Sequence, residues 1–246
     1  MTRVVFVGTS DAFGAGGRRQ AAVFVETPAG DGVLLDCAPT TGSGLVALGI
    51  ERRAIDAVLV SHFHADHFAG IPQLLLASTY EDRRRKPLRI AGPPGVEARV
   101  RDAAEAMGHG LDERPLSFAL HFVELPAGRS ADVGPARVES FATHHQPSSC
   151  PHGLRVRIGT HTIAYSGDTG WFPELVGHLR GADLCICECN FHEPTFDYHL
   201  DYLTLVERAG AFEAGRLLLT HLGSQMTDRR GQLELETADD GLALRL

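Results

Sequence analysis

Four apolar, strand-like runs in this chain each end in residues able to bind a metal ion. Ala57–Ser61 runs into His62-Phe63-His64-Ala65-Asp66-His67, Val138–Ala142 is followed by His144 and His145, His161–Ser166 leads to Asp168, and Leu217–Thr220 stops at His221. A chain patterned this way is confined to folds that bring those strand ends to one rim. Imidazole and carboxylate donors gathered there suit zinc, manganese or iron. In an extended chain His62 and His64 project to the same side and both reach one ion. As the chain turns toward a helix, Asp66 and His67 swing toward a second position. The donors outnumber what one tetrahedral ion takes, and two ions sharing a carboxylate and a hydroxide account for all of them.

The remaining pattern predicts further elements. Strands are expected at Val4–Val7, Ala21–Glu26, Gly32–Asp36, Pro87–Ile90, Phe118–Glu124, Ala136–Ala142, Leu154–Ile158 and Ala182–Cys189, and Arg216–Thr220 is the run that leads to His221. Helices are expected at Gly42–Leu48, Phe68–Thr79, Gly95–Met107, Trp171–Arg180 and Tyr202–Ala214, and a closing hairpin about Asp239-Asp240-Gly241. Strands first, then mixed strands and helices, predict an α+β fold, an αββα sandwich of two mixed sheets packed face to face with helices outside. With no repeat, low-complexity linker or composition shift, residues 1–246 are expected to form a single domain.

The formal net charge of −8 gives no global basic field for long nucleic acids. The one short basic run, Arg83-Arg84-Arg85-Lys86, reads as a solvated loop. No apolar stretch is long enough for a membrane span, no signal peptide is visible, and five cysteines suggest no disulfide framework, so a cytoplasmic protein is expected. Cys185, Cys187 and Cys189 alternate along a strand and read as core packing. The loop Gly14–Arg19 is not a dinucleotide fingerprint, but its amides and Arg18 are candidates for meeting an anion.

His62-Phe-His64-Ala-Asp66-His67 resembles the His-x-His-x-Asp-His signature of the metallo-β-lactamase superfamily. Tyr165-Ser166-Gly167-Asp168-Thr169 resembles the bridging-aspartate motif of its ribonuclease Z and phosphodiesterase branch, and Thr220-His221-Leu222 that branch's last histidine motif. Val7-Gly8-Thr9-Ser10 and Leu34-Leu35-Asp36 are similar to the branch as well. The resemblance implies two divalent ions, zinc by default, with manganese or iron as alternatives. It gives one ion to His62, His64 and a histidine of Thr143-His144-His145, and the other to Asp66, His67 and His221, with Asp168 bridging. The distance to Gly153–Arg155 favours His145 over His144, while Pro147 and His152 make this loop unusual and leave both open.

The same resemblance implies a hydrolase with a metal-bridging hydroxide as nucleophile. Asp66 is a candidate to orient it, and His199, in the acidic segment Glu193…His199-Leu-Asp201, to protonate the leaving group. A small or single-stranded phosphodiester is the expected substrate. Alternatives are tRNA 3′ processing, hydrolysis of a lactone, lactam, thioester or sulfate ester, and metal binding without turnover. In the branch, tRNA processing goes with a long arm, whereas only a short hairpin is expected between His145 and Asp168. Homodimers among relatives make a homodimer an expected assembly.

Overall fold

Period-two burial along the strands decides the architecture. Alternate residues of Val4-Val5-Phe6-Val7 are buried in two different apolar layers: Val4 and Phe6 enter the central one, Val5 and Val7 an outer one. A strand apolar on both faces must be covered on both. The computed structural model describes residues 1–113 and 115–246.

One sheet has seven strands, β1 (Arg3–Gly8), β2 (Ala22–Glu26), β3 (Gly32–Leu35), β4 (Ile55–Leu59), β5 (Leu88–Gly92), β6 (Leu120–Glu124) and β13 (Ala243–Arg245), in the order β13-β1-β2-β3-β4-β5-β6. The other has six, β7 (Ser130–Val133), β8 (Ala136–Ala142), β9 (His152–Ile158), β10 (His161–Tyr165), β11 (Leu184–Glu188) and β12 (Leu217–Thr220), in the order β12-β11-β10-β9-β8-β7. Both are mixed: β3 to β6 run parallel in the first and β10 to β12 in the second, with antiparallel pairs elsewhere.

Between the sheets lie Val25, Val33, Leu35 and Leu59 from one side and Val156, Ile163, Leu184 and Ile186 from the other. Each such side chain contributes about 1.5–3 kcal/mol by burial. Helices α1 (Thr41–Ala47), α3 (Ile71–Tyr80) and α4 (Val96–Ala106) cover the first sheet's outer face, and α5 (Leu175–Leu179) and α6 (Tyr202–Arg208) that of the second. The expected αββα sandwich is what forms. Cys185, Cys187 and Cys189 pack in the outer layer beneath α5 and α6, as alternation predicts.

Several expectations need correction. The helix expected over Phe68–Thr79 is two, α2 (Ala65–Phe68) and α3. Pro72 has no N–H to offer the Phe68 carbonyl, and Gly70 sits so close to the chain at Ala38 that a Cβ there would lie 2.1 Å from the Ala38 oxygen. The helix expected from Trp171 to Arg180 spans Leu175–Leu179, with Pro173 and Gly177 weakening the run. That expected from Tyr202 ends at Arg208 and passes into a 3-10 turn over Ala209–Phe212.

The C-terminal hairpin does not form. The turn after Asp239 crosses between the sheets instead: Thr237 bridges Leu219 in one, and β13 pairs with β1 in the other. The short strand β7 carried no sequence signal that distinguished it. The basic run is also not a solvated loop throughout. Arg84 is 2% exposed, and its guanidinium donates to the carbonyls of Arg52, Ile55, Lys86 and Pro87. Lys86 pairs with Asp31 and Asp56. Among the described residues no helix is long and apolar enough to cross a membrane.

Candidate metal centre

Six strands deliver polar residues to one rim at or just beyond their C-terminal ends. Asp36 follows β3, His62 follows β4, His145 follows β8, Asp168 follows β10, Glu188 closes β11 and His221 follows β12. Asp36 and His221 hold left-handed backbone, with φ of +57° and +54°, which turns the chain sharply at the rim.

Two donor groups share Asp168, and a third, Glu188, His199 and His221, adjoins them. His62, His64, His145 and Asp168 form one, and Asp66, His67, Asp168 and His221 the other, each with its donor atoms within 4.8 Å of one another. In the first, His64 Nδ1 lies 3.1 Å from His62 Nε2 and 3.0 Å from His145 Nε2. In the second, Asp66 Oδ2 lies 3.3 Å from both His67 Nε2 and His221 Nε2, and His221 Nε2 lies 3.4 Å from Asp168 Oδ2. Donors on a tetrahedral ion with bonds near 2.05 Å stand about 3.3–3.5 Å apart, which the second group matches, while the first spans 3.0 to 3.9 Å about that value. His67 Nε2 and Asp168 Oδ1 are buried without a hydrogen-bond partner although only 3.3 Å apart. Buried polar atoms left this way are costly unless something unites them, and a cation does.

The surrounding hydrogen bonds fix which imidazole nitrogen faces inward. His67 Nδ1 donates to Asp36 Oδ2 at 2.8 Å, leaving Nε2 for the centre. His145 Nδ1 donates to the Tyr198 carbonyl at 2.8 Å, and His64 Nε2 lies 3.2 Å from Gln146 Oε1. Asp36, wholly buried, also accepts from the Ser61 amide, the Ser61 hydroxyl and the Tyr165 hydroxyl.

The electrostatics differ between the groups. Burial pushes His62 well below the usual imidazole range, helped by His67, and burial lowers His145 to about 4. Burial also opposes charge on His67 and His221, but Asp168 and Asp66 overrule it and raise both. Asp168 is held well below the carboxylate range, because His221 and His67 outweigh its burial.

Beside the second group, His199 Nδ1 donates to Glu188 Oε1 at 2.8 Å and lies 4.0 Å from Asp168 Oδ2. Burial opposes its charge, yet Glu188 lifts His199 to about 9. Glu188 also accepts from the Thr169 amide at 2.8 Å. The structure thus brings together His62, His64, Asp66, His67, His145, Asp168, His199 and His221. His144 stays outside both donor groups, exposed beside Tyr198. The Arg18 guanidinium, a candidate for meeting an anion, is engaged by Asp239.

Asp36 as a buried hub and Glu188 as the partner of His199 were missed by sequence reasoning. The available signal was a single acidic residue closing an apolar strand in each case.

Chemically, two clusters joined by one carboxylate can hold two divalent cations about a shared site, with a histidine placed for proton transfer. The profile described as "Beta-lactamase superfamily domain" matches residues 32–222. A ribonuclease Z of Methanosarcina acetivorans is 26% identical over 280 aligned residues, covering 93% of this chain and 90% of that protein. The metallo-β-lactamase fold protein YhfI of Bacillus subtilis superposes with a TM-score of 0.78 at 22% identity, covering all of both chains. The short form of human tRNase Z gives 0.80 at 24% identity, over 99% of this chain and 98% of that one. Matched along most of its length, and folded as those structures are, the chain belongs to the beta-lactamase superfamily.

Proposed function

We propose that this chain, acting as one domain over residues 1–246, is a dinuclear metal-dependent hydrolase that cleaves a small or single-stranded phosphodiester. The observation that carries the reading is the Asp168 carboxylate shared by two complete donor groups, with the His199–Glu188 pair alongside. His62, His64, His145 and Asp168 would hold one cation, and Asp66, His67, His221 and Asp168 the other. Zinc is the first choice for these donors, ahead of manganese or iron. Bound there, the two cations would supply Lewis acidity to the phosphoryl oxygens and make a water acidic enough to attack near neutral pH.

The chain's own residues supply the rest. Asp66 orients the attacking water. As the water oxygen, its proton already given up to solvent, bonds to phosphorus, the ester P–O bond breaks, and His199 gives its proton to the departing alkoxide. Glu188 fixes His199 through Nδ1, so Nε2 is the nitrogen that donates.

The test is hydrolysis of bis(p-nitrophenyl) phosphate by zinc- or manganese-loaded protein. Asp168→Ala should lose turnover. His199→Ala should lose more on an alkyl diester than on the nitrophenyl one, whose leaving group needs no proton. Metal-loaded protein inert on every diester would overturn the reading.

A second reading, tRNA 3′ processing, is favoured by the relatives named ribonuclease Z. Against it, Gly159-Thr160 alone joins β9 to β10, the short hairpin expected in place of the branch's long arm. Salt-dependent binding and 3′ cleavage of precursor tRNA would favour it.

A further inference from the structure

The loop from Phe191 to His199 carries an aromatic surface that the proposed chemistry does not use. Phe196 is 53% exposed, yet its ring centre is 6.1 Å from that of His199 and 5.4 Å from that of Tyr198, which it meets nearly edge-on. His199 is in turn 4.9 Å from His145 and 5.5 Å from His221, ring centre to ring centre, so this exposed ring borders the metal centre. The loop is anchored. The Tyr198 carbonyl holds His145, the His199 amide donates to the Phe196 carbonyl at 3.1 Å, and the Phe191 carbonyl accepts from the Tyr202 amide at 2.9 Å. Gly170 packs so tightly on Asp197 that any Cβ would collide with its carbonyl.

Position gives this ring a meaning. If His199 protonates the leaving oxygen, the leaving group departs on the His199 side, and Phe196 is the apolar surface waiting there. The loop's charges narrow the class of leaving group. Glu193 and Asp197 are exposed, and no lysine or arginine occurs from Phe191 to Tyr202. A phosphate-rich strand leaving on this side would be repelled, whereas a neutral group with a flat ring would be held.

We propose that Phe196, backed by Tyr198, stacks the base of a nucleoside leaving group and makes the protein selective for short diesters that release an uncharged nucleoside. This rests on the phosphodiesterase reading above, and Phe196 acts as a specificity determinant.

The test has two parts. In the first, 2-aminopurine riboside is titrated against wild type, Phe196→Ala and Phe196→Trp, and stacking is read from fluorescence quenching. Wild type and Phe196→Trp should quench it, and Phe196→Ala should bind about tenfold more weakly. In the second, metal-loaded proteins are compared on two methyl phosphodiesters, the methyl ester of adenosine 5′-phosphate, monitored by adenosine release, and a dialkyl ester with no base, monitored by alcohol release. Phe196→Ala should lose about tenfold in kcat/KM on the first, mainly through KM, and keep its rate on the second. Equal losses on both esters, or unchanged riboside binding, would overturn the proposal even if wild type cleaves diesters well. If neither ester is cleaved while riboside binding still depends on Phe196, the phosphodiesterase reading falls and the stacking surface stands.

Discussion

The two donor groups share Asp168 but are built differently. Asp66, His67 and His221 are all buried, and His67 is locked from behind by an aspartate with no exposure of its own. The other group has a half-buried member, His64, whose outer nitrogen meets only the exposed side chain of Gln146. Their protons differ as well. Asp168 and Asp66 raise His67 and His221, while burial lowers His62 and His145. Two ions held this way should differ in affinity, in exchange rate and in what they displace on arrival.

Removing what the groups share should have the largest effect. Asp168→Ala should abolish binding of both proposed ions, with metal content by elemental analysis falling from the proposed two per chain to near none and turnover falling to background. Retention of one ion would show that the carboxylate is not shared in function.

Next, Asp36→Ala should separate the halves. It strands the His67 Nδ1 and Tyr165 hydroxyl donors in a buried site, at about 1–3 kcal/mol each, and should weaken one ion by about 10–100-fold while sparing the other. Equal weakening of both would erase the distinction. Competitive chelator titration resolves the two affinities.

Acidity should then sharpen it. An ion entering the His67–His221 half should displace more protons than one entering the other, because Asp168 and Asp66 raise both histidines. Its affinity should therefore fall as pH drops, by about tenfold per pH unit for each proton displaced. Burial lowers His62 and His145, the latter to about 4, so neither has a proton to lose near neutral pH and the other half should fall less steeply. Calorimetry in buffers of different ionisation heat counts the protons. The smallest effect belongs to Gln146→Ala, a few-fold at most, since water replaces an exposed amide readily.

Much of this centre is readable in the sequence because its donors are concentrated where strands stop. His62 to His67 form one contiguous run, and Asp168 and His221 each follow an apolar strand within three residues. The layered fold follows from alternation, which β1 and β11 display on both faces. What stayed hidden depends on distant partners. Asp36 matters because Tyr165, 129 residues away, donates to it, and Glu188 because His199 comes back across a loop. Neither pairing leaves a local pattern. The choice of His145 over His144 likewise depends on the Tyr198 carbonyl, which only the folded loop brings within reach. The expected final hairpin failed for a related reason: local turn chemistry at Asp239-Asp240-Gly241 was present, but β1 offered the last strand a better partner than Gln232–Glu236 did.

That last strand has a consequence in time. β1 is made before β13, and the strand that closes its edge comes well over 200 residues later. At about 5–20 residues per second, a ribosome leaves that edge open for roughly 10–50 s. Through that interval the backbone of Arg3 to Val5 is a template for any strand that drifts by. The clasp also has to wait for both sheets, since the segment before β13 rests on Leu219 of the other one. Yield at high expression rates should therefore be limited while chains are being made, and starting fewer chains at once, without slowing each ribosome, should recover more of it than any change to the finished core.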